Sequence, residues 1–231
     1  MMAVTNLENG QFSDAVGEAI LNDTSVQDVL LDHIIEAAGE YGFQDIHFDF
    51  EYLRPEDREP YNAFLKKAAQ RLHAERLLIS TALAPKTSAS QTGQWYTAHD
   101  YRAHGEIVDF VVIMTYEWGY SAGPPMAVSP IGPVRQVLEY AKTEIPANKI
   151  MMGQNLYGYD WTLPFVKGGA YARAISPQTA ISLARENHPL SNMTIRPRRP
   201  FSITATPHKN SMSSGLKMQD PSRQSSICSR S

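Results

Sequence analysis

A chain of 231 residues with 42% hydrophobic and 19% charged residues has the composition of a soluble globular protein, which excludes collagen-like and low-complexity classes. No apolar run reaches the length of a membrane span, no signal peptide is read at Met1, and the single Cys228 excludes an internal disulfide framework. The net charge of -3 hides an asymmetry, because residues 1–188 carry 14 Lys and Arg against 23 Asp and Glu while residues 189–231 carry 7 against 1.

Ala3 to Asn6 reads as a short apolar strand. Thr24 with Gln27 suggests a capping box for a helix to about Ala38, with Val26, Leu30, Ile34 and Ala37 at helical spacing and Gly39 as its stop. Gly42 to Leu53 follows as a strand. Pro55 opens a helical region through Arg76, with Tyr61, Leu65, Ala68 and Leu72 on one stripe. Leu77–Leu83, Val108–Tyr116 and Ile150–Tyr157 are further β-rich runs, with helical patterns at Thr97–Ala103 and Pro133–Thr143 between them. Five β/α units in series predict an α/β fold with a parallel sheet.

Within the run from Gly42 to Leu53, polar and apolar residues alternate. Asp45, His47, Asp49 and Glu51 share one face of the strand, and Ile46, Phe48 and Phe50 share the other. Asp49 and Glu51 are then about 6.6 Å apart along the strand. Such a pattern also suits a half-buried strand whose polar face is merely wet. In a sheet covered on both sides, however, that face lines an enclosed space, where two carboxylates titrate as a coupled pair and one keeps its proton near neutral pH.

Two aromatic stretches stand later in the chain, Met114-Thr115-Tyr116-Glu117-Trp118 and Tyr157-Gly158-Tyr159-Asp160-Trp161. The second suits stacking on sugar faces, with Trp161 the leading candidate platform, and equally suits hydrophobic cover, whereas Tyr116 and Trp118 in the first read by themselves as ordinary packing aromatics. Asn6 lies in Asn-Leu-Glu-Asn-Gly, for which a turn is an adequate account. The seven histidines are scattered, and His47 with Asp45 and Asp49 lacks the two-histidine spacing of a metal site, so neither metal nor cofactor is expected.

Asp49-Phe50-Glu51 resembles the end of the Asp-x-x-Asp-x-Asp-x-Glu signature of family 18 glycoside hydrolases, with Gln44 and His47 where chitinases have the first two aspartates. Met114-Thr115-Tyr116-Glu117 resembles the Met-x-Tyr-Asp motif of that family, Glu117 replacing the aspartate. The longer text is similar to the spore cortex-lytic N-acetylglucosaminidase branch. This resemblance implies a partial (β/α)8 TIM barrel of about strands 3 to 7 in residues 1–188, the complete fold typically needing about 250 residues. It also implies Glu51 as catalytic acid and then base, Asp49 as the group orienting the substrate acetamide, and Tyr116 as a donor to that acetamide. Asn6, His47, Met114, Glu117, Trp118, Tyr157 and Trp161 would contact substrate. The implied reaction is retaining, substrate-assisted hydrolysis of N-acetylglucosaminyl bonds in peptidoglycan, or alternatively chitin, by a spore-associated protein. A sheet lacking three strands has open edges, so the same resemblance admits an unstable, weakly active or inactive remnant, or a non-catalytic sugar-binding fragment.

From about Pro189 the β/α rhythm stops, and ten of the last 43 residues are serine. Natural disorder gives such text, and so does a shifted reading frame. Joining the last base of each codon to the next two, Ser214 to Pro221 permits Trp-Phe-Glu-Asp-Ala-Arg-Ser, a segment resembling the same branch. On the shifted-frame reading the basic tail has no selected partner, and its arginines do not imply nucleic-acid binding.

Overall fold

The computed structural model describes residues 1–187, 204–207 and 214–217. The chain divides into two compact units, the first comprising Met1–Thr115 and Val134–Gly153, the second Tyr116–Pro133 and Gln154–Ser231.

In chain order the first unit holds β1 (Met2–Thr5), the small pair β2 (Leu7–Glu8) and β3 (Gln11–Phe12), α1 (Asp14–Asn22), α2 (Thr24–Tyr41) and β4 (Asp45–Asp49). After these come α3 (Arg58–Ala74), β5 (Leu78–Leu83), α4 (Tyr101–Ile107), β6 (Phe110–Ile113), most of α5 (Ile131–Glu144) and β7 (Ile150–Met152). Strands β1, β4, β5, β6 and β7 pair in that order, every neighbour parallel. These are the five strands expected from the sequence, each no longer than its predicted run. The run Gly42–Leu53 contracts to Asp45–Asp49 because the chain beyond leaves the ladder, the Glu51 backbone bonding to the Asn6 side chain instead.

The α3 stripe is as expected, with Tyr61, Leu65, Ala68 and Leu72 all buried. Against it lie the apolar side chains of β4 and its extension. Phe50 stacks on Tyr61 at 5.6 Å between centroids, and Phe48 meets Phe64 edge-on at 5.2 Å. Each such ring removed from water contributes about 1.5–3 kcal/mol, so this aromatic block anchors the strand that carries the acidic residues.

For α2 the expected details need correction. Its N-cap is Asp23, whose carboxylate accepts from the backbone N–H of Ser25 and Val26, and its end is Gly42 at φ +72°, not Gly39. The buried face is Gln27, Leu31, Ile34 and Ala38, with Val26 exposed. Gln27 is tolerated inside because its amide donates to the Leu21 carbonyl at 3.1 Å. Helix α1 was not predicted. Ser13 caps it, and Gly17 lets it approach the site closely, since a Cβ there would meet Leu53 Cδ2 at 2.4 Å.

In the second unit, β8 (Gly158–Asp160) pairs antiparallel with β9 (Arg173–Ile175), followed by α6 (Pro177–Asn187). The parallel strand β7 therefore stops short of Tyr157, the end of its predicted run Ile150–Tyr157. That strand ends at Met152, and Gly153 donates from its backbone to Ile113 O at 2.8 Å as the chain leaves the sheet. The expected non-native or disordered tail, 189–231, falls almost wholly outside the described residues. Within it β10 (Thr204–Pro207) and β11 (Ser214–Lys217) pair antiparallel. Among the described residues no helix is long and apolar enough to cross a membrane.

Candidate active site

A parallel sheet delivers all its strand ends to one edge, and the polar residues of interest follow those ends. Asn6 comes directly after β1, and Glu51 lies two residues beyond β4. The parallel register sets Thr5 opposite Asp49, so Asn6 falls beside the chain leaving β4. Its Nδ2 donates to the carbonyls of Glu51 and Ser13, each at 2.9 Å, while its Oδ1 accepts from the Glu51 N–H at 2.9 Å. Asn6 is 0% exposed. Two of its three bonds thus fix the Glu51 backbone and the third holds the Ser13 carbonyl.

His99 holds the preceding residue. Its Nδ1 accepts from the Ala84 N–H at 2.8 Å, which leaves the proton on Nε2 to donate to Phe50 O at 2.9 Å. Burial pushes its pKa down to about 4, so the ring is neutral in this role. The Glu51 backbone is thus held directly by Asn6 and, through Phe50, by His99.

The two carboxyls themselves have few donors. Asp49 Oδ1 is buried and has no hydrogen-bond partner among the protein atoms, and burial raises the pKa of this residue. The Glu51 carboxyl is pushed up to about 7, first by burial and then by the Asp49 charge, while a hydrogen bond from Trp95 works in the opposite direction. In that bond Trp95 Nε1 donates to Glu51 Oε2 at 2.6 Å. A carboxyl poised near neutrality can both give and recover a proton.

Deeper in the sheet, Ser80 Oγ donates to Asp45 at 3.0 and 3.1 Å, so His47 Nδ1, 2.8 Å from the same oxygen, supplies the proton of that second bond. His47 is only 9% exposed and burial lowers its pKa. Its side chain belongs to the buried layer of the sheet. Met114 is likewise core, buried and bonded from its backbone to Leu83 O at 2.9 Å.

The remaining expected residues lie in the second unit. Glu117 has a left-handed backbone at φ +66°, a conformation costing about 1–3 kcal/mol for a residue with a Cβ. Its carboxylate accepts from the hydroxyl of Tyr157 and from that of Tyr159, the latter at 2.9 Å. Burial and these bonds raise both phenols, Tyr159 to about 12. Tyr116 and Trp118 are half-buried. Trp161 is 3% exposed, meets Tyr159 edge-on at 5.6 Å and donates from Nε1 to Gly123 O at 2.9 Å. Its ring is packed within the second unit.

Sequence reasoning missed Trp95 and His99. Both lie after β5, far in sequence from Glu51 and Phe50, and no periodicity links them. A tryptophan within the polar stretch Gln91 to Thr97 was the one available signal for the first. Among the described residues no group of three His, Cys, Asp or Glu could hold a metal ion.

The family model for glycosyl hydrolases family 18 matches residues 5–212. A cortical fragment-lytic enzyme of Bacillus subtilis (strain 168) is 70% identical over 188 residues, 81% of this chain and 44% of that protein. A cortical fragment-lytic enzyme of Bacillus anthracis is 52% identical over 211 residues, 91% of this chain and 47% of that protein. The crystal structure of the spore cortex-lytic enzyme SleL of Bacillus megaterium QM B1551 matches with a TM-score of 0.82 and 59% identity, covering 90% of this chain and 47% of that one. The sheet described above is thus part of the TIM-barrel fold of such proteins, and the chain spans about half the length of the curated relatives it matches.

Proposed function

Because this chain belongs to family 18 of the glycosyl hydrolases, we propose that it derives from a glycosidase acting on the N-acetylglucosaminyl bonds of spore cortex peptidoglycan. The observation that carries the reading is the Glu51 carboxyl, pinned through its backbone and pushed up to about 7 by burial and by Asp49. The names of the cortex-lytic relatives supply the substrate class.

In the proposed reaction Glu51 gives its proton to the glycosidic oxygen as the bond from that oxygen to the sugar C1 breaks. The acetamide oxygen of the same sugar attacks C1 and forms an oxazolinium, the substrate-assisted route that replaces a protein nucleophile. Asp49 orients the acetamide and stabilises the positive charge. Water then attacks C1, losing its proton to Glu51, and the acetamide is released with retention at C1. Tyr116 is assigned on its sequence motif alone as a hydroxyl donor to the acetamide, a role for which Tyr116→Phe is the test.

Incubation with purified cortex fragments, followed by mass spectrometry of the new reducing ends, tests this proposal. Reducing-end N-acetylglucosamine that disappears with Glu51→Gln is the expected result, and products insensitive to that change would refute it. A second reading, a sugar-binding fragment without turnover, draws on the chain spanning only 44% to 47% of its relatives' length. Fragment binding without cleavage would select it.

A further inference from the structure

Building on the reading of Glu51 as the proton donor, we infer that Trp95 is a positioning residue that orients the Glu51 carboxyl and directs its transferable proton to Oε1. The indole N–H is a donor with no acceptor capacity. Placed 2.6 Å from Oε2, it makes that oxygen the acceptor and leaves the acid hydrogen to the other. When the proton has left, the same bond becomes charge-assisted and stabilises the carboxylate. Trp95 thereby helps the proton-donating step, and it weakens Glu51 as a base in the second step by the same amount.

The indole is itself held in place. Its ring stacks on Tyr52 at 6.4 Å with 12° between the planes, and Tyr52 in turn lies 6.3 Å from Phe12. Tyr52 has φ +55°, a left-handed backbone that a tyrosine adopts only under external constraint. Gln94, next to Trp95, donates to the Tyr52 carbonyl at 3.4 Å, and the Tyr96 ring lies 5.4 Å from that of Trp95. Groups near Glu51 include Asp49 on its own segment, the phenol of Tyr52, the indole of Trp95 and, at its backbone, the amide of Asn6. Among the described residues Glu51 enters no ion pair. The indole is therefore the donor that answers the Asp49 charge.

The test is a pH titration of the 231-residue chain by NMR, following the Trp95 indole N–H and the Glu51 carboxyl carbon. The indole signal is expected to move with the same midpoint as Glu51 and to stop moving in Glu51→Gln, a readout that needs no variant of Trp95. In Trp95→Phe, which keeps a ring to stack on Tyr52, the Glu51 midpoint is expected to rise by roughly half to one pH unit. An indole signal that ignores Glu51, or an unchanged Glu51 midpoint in Trp95→Phe, overturns the inference. Full hydrolytic activity in Glu51→Gln would instead overturn the reading of Glu51 as the acid and leave the contact intact.

Discussion

Two carboxylates six residues apart, Glu51 and Asp57, are treated in opposite ways by the same fold. Asp57 is 1% exposed and accepts from Arg54 Nε and Nη2 at 3.1 Å each, from the Arg54 backbone N–H at 3.2 Å and from Asn22 Nδ2 at 3.3 Å. Arg54 also pairs with Glu18 at 2.8 Å, tying α1 to the start of α3. Burial works to raise Asp57, but the bonds from Arg54 and Asn22 outweigh it and its pKa is lowered. Glu51 is raised by burial and by the neighbouring Asp49 charge, which the bond from Trp95 does not outweigh. A carboxyl that holds structure is surrounded with donors until its charge is secure, whereas one that must exchange a proton is left short of them.

The largest expected effect separates these roles by activity. Glu51→Gln lowers the rate of cortex-fragment cleavage by roughly 10²–10⁴-fold, the contribution of a positioned acid, while circular dichroism of the variant matches the parent. Asp57→Ala does the reverse to stability. Urea unfolding is expected to show a loss of about 1–3 kcal/mol, because the bonds that Asn22 and the Arg54 backbone make to this buried carboxylate are lost.

Opposite pH dependences follow. Glu51 rises from its ordinary 4.5 to about 7, so the stability it contributes is complete below about 4.5 and is lost as pH climbs to about 7. Glu51→Gln should consequently stabilise the chain at pH 8 by roughly 1–2 kcal/mol, after allowance for solvent screening, and have little effect at pH 4. Asp57 contributes stability above the ordinary carboxylate range and loses it as pH falls through its lowered value. Thermal melts across pH 3–8 with each variant read both slopes.

Asp49→Asn sharpens the comparison further. Removing the neighbouring charge lowers the Glu51 midpoint and moves the alkaline limb of cleavage to lower pH. It also removes a half-buried charge whose Oδ1 has no hydrogen-bond partner, so stability at pH 8 is expected to rise by about 1 kcal/mol. The smallest effect belongs to the second unit, where Trp161→Phe leaves the Gly123 carbonyl without its indole donor and costs about 1 kcal/mol in urea unfolding.

How much of this was legible beforehand depends on the range of the interaction. The five strands and the α3 stripe were readable because burial imposes local periods on Ile46, Phe48 and Phe50 and on Tyr61, Leu65, Ala68 and Leu72. Asp49 and Glu51 were readable for the same reason. On α2 only Ile34 of the expected face is in place and the other three positions were each one residue early, because Gln27, polar by type, is buried through a bond to Leu21 O. Asn6, Trp95 and His99 converge on one short segment from 44 to 49 residues away, and such contacts leave no local pattern to find.

The most direct measurement is a carboxyl carbon titration that follows Glu51 and Asp57 in one sample. The account predicts a midpoint of about 7 for Glu51 and one below the ordinary carboxylate range for Asp57. Two midpoints in the ordinary range would contradict it, since the fold would then draw no distinction between the acid and its structural neighbour.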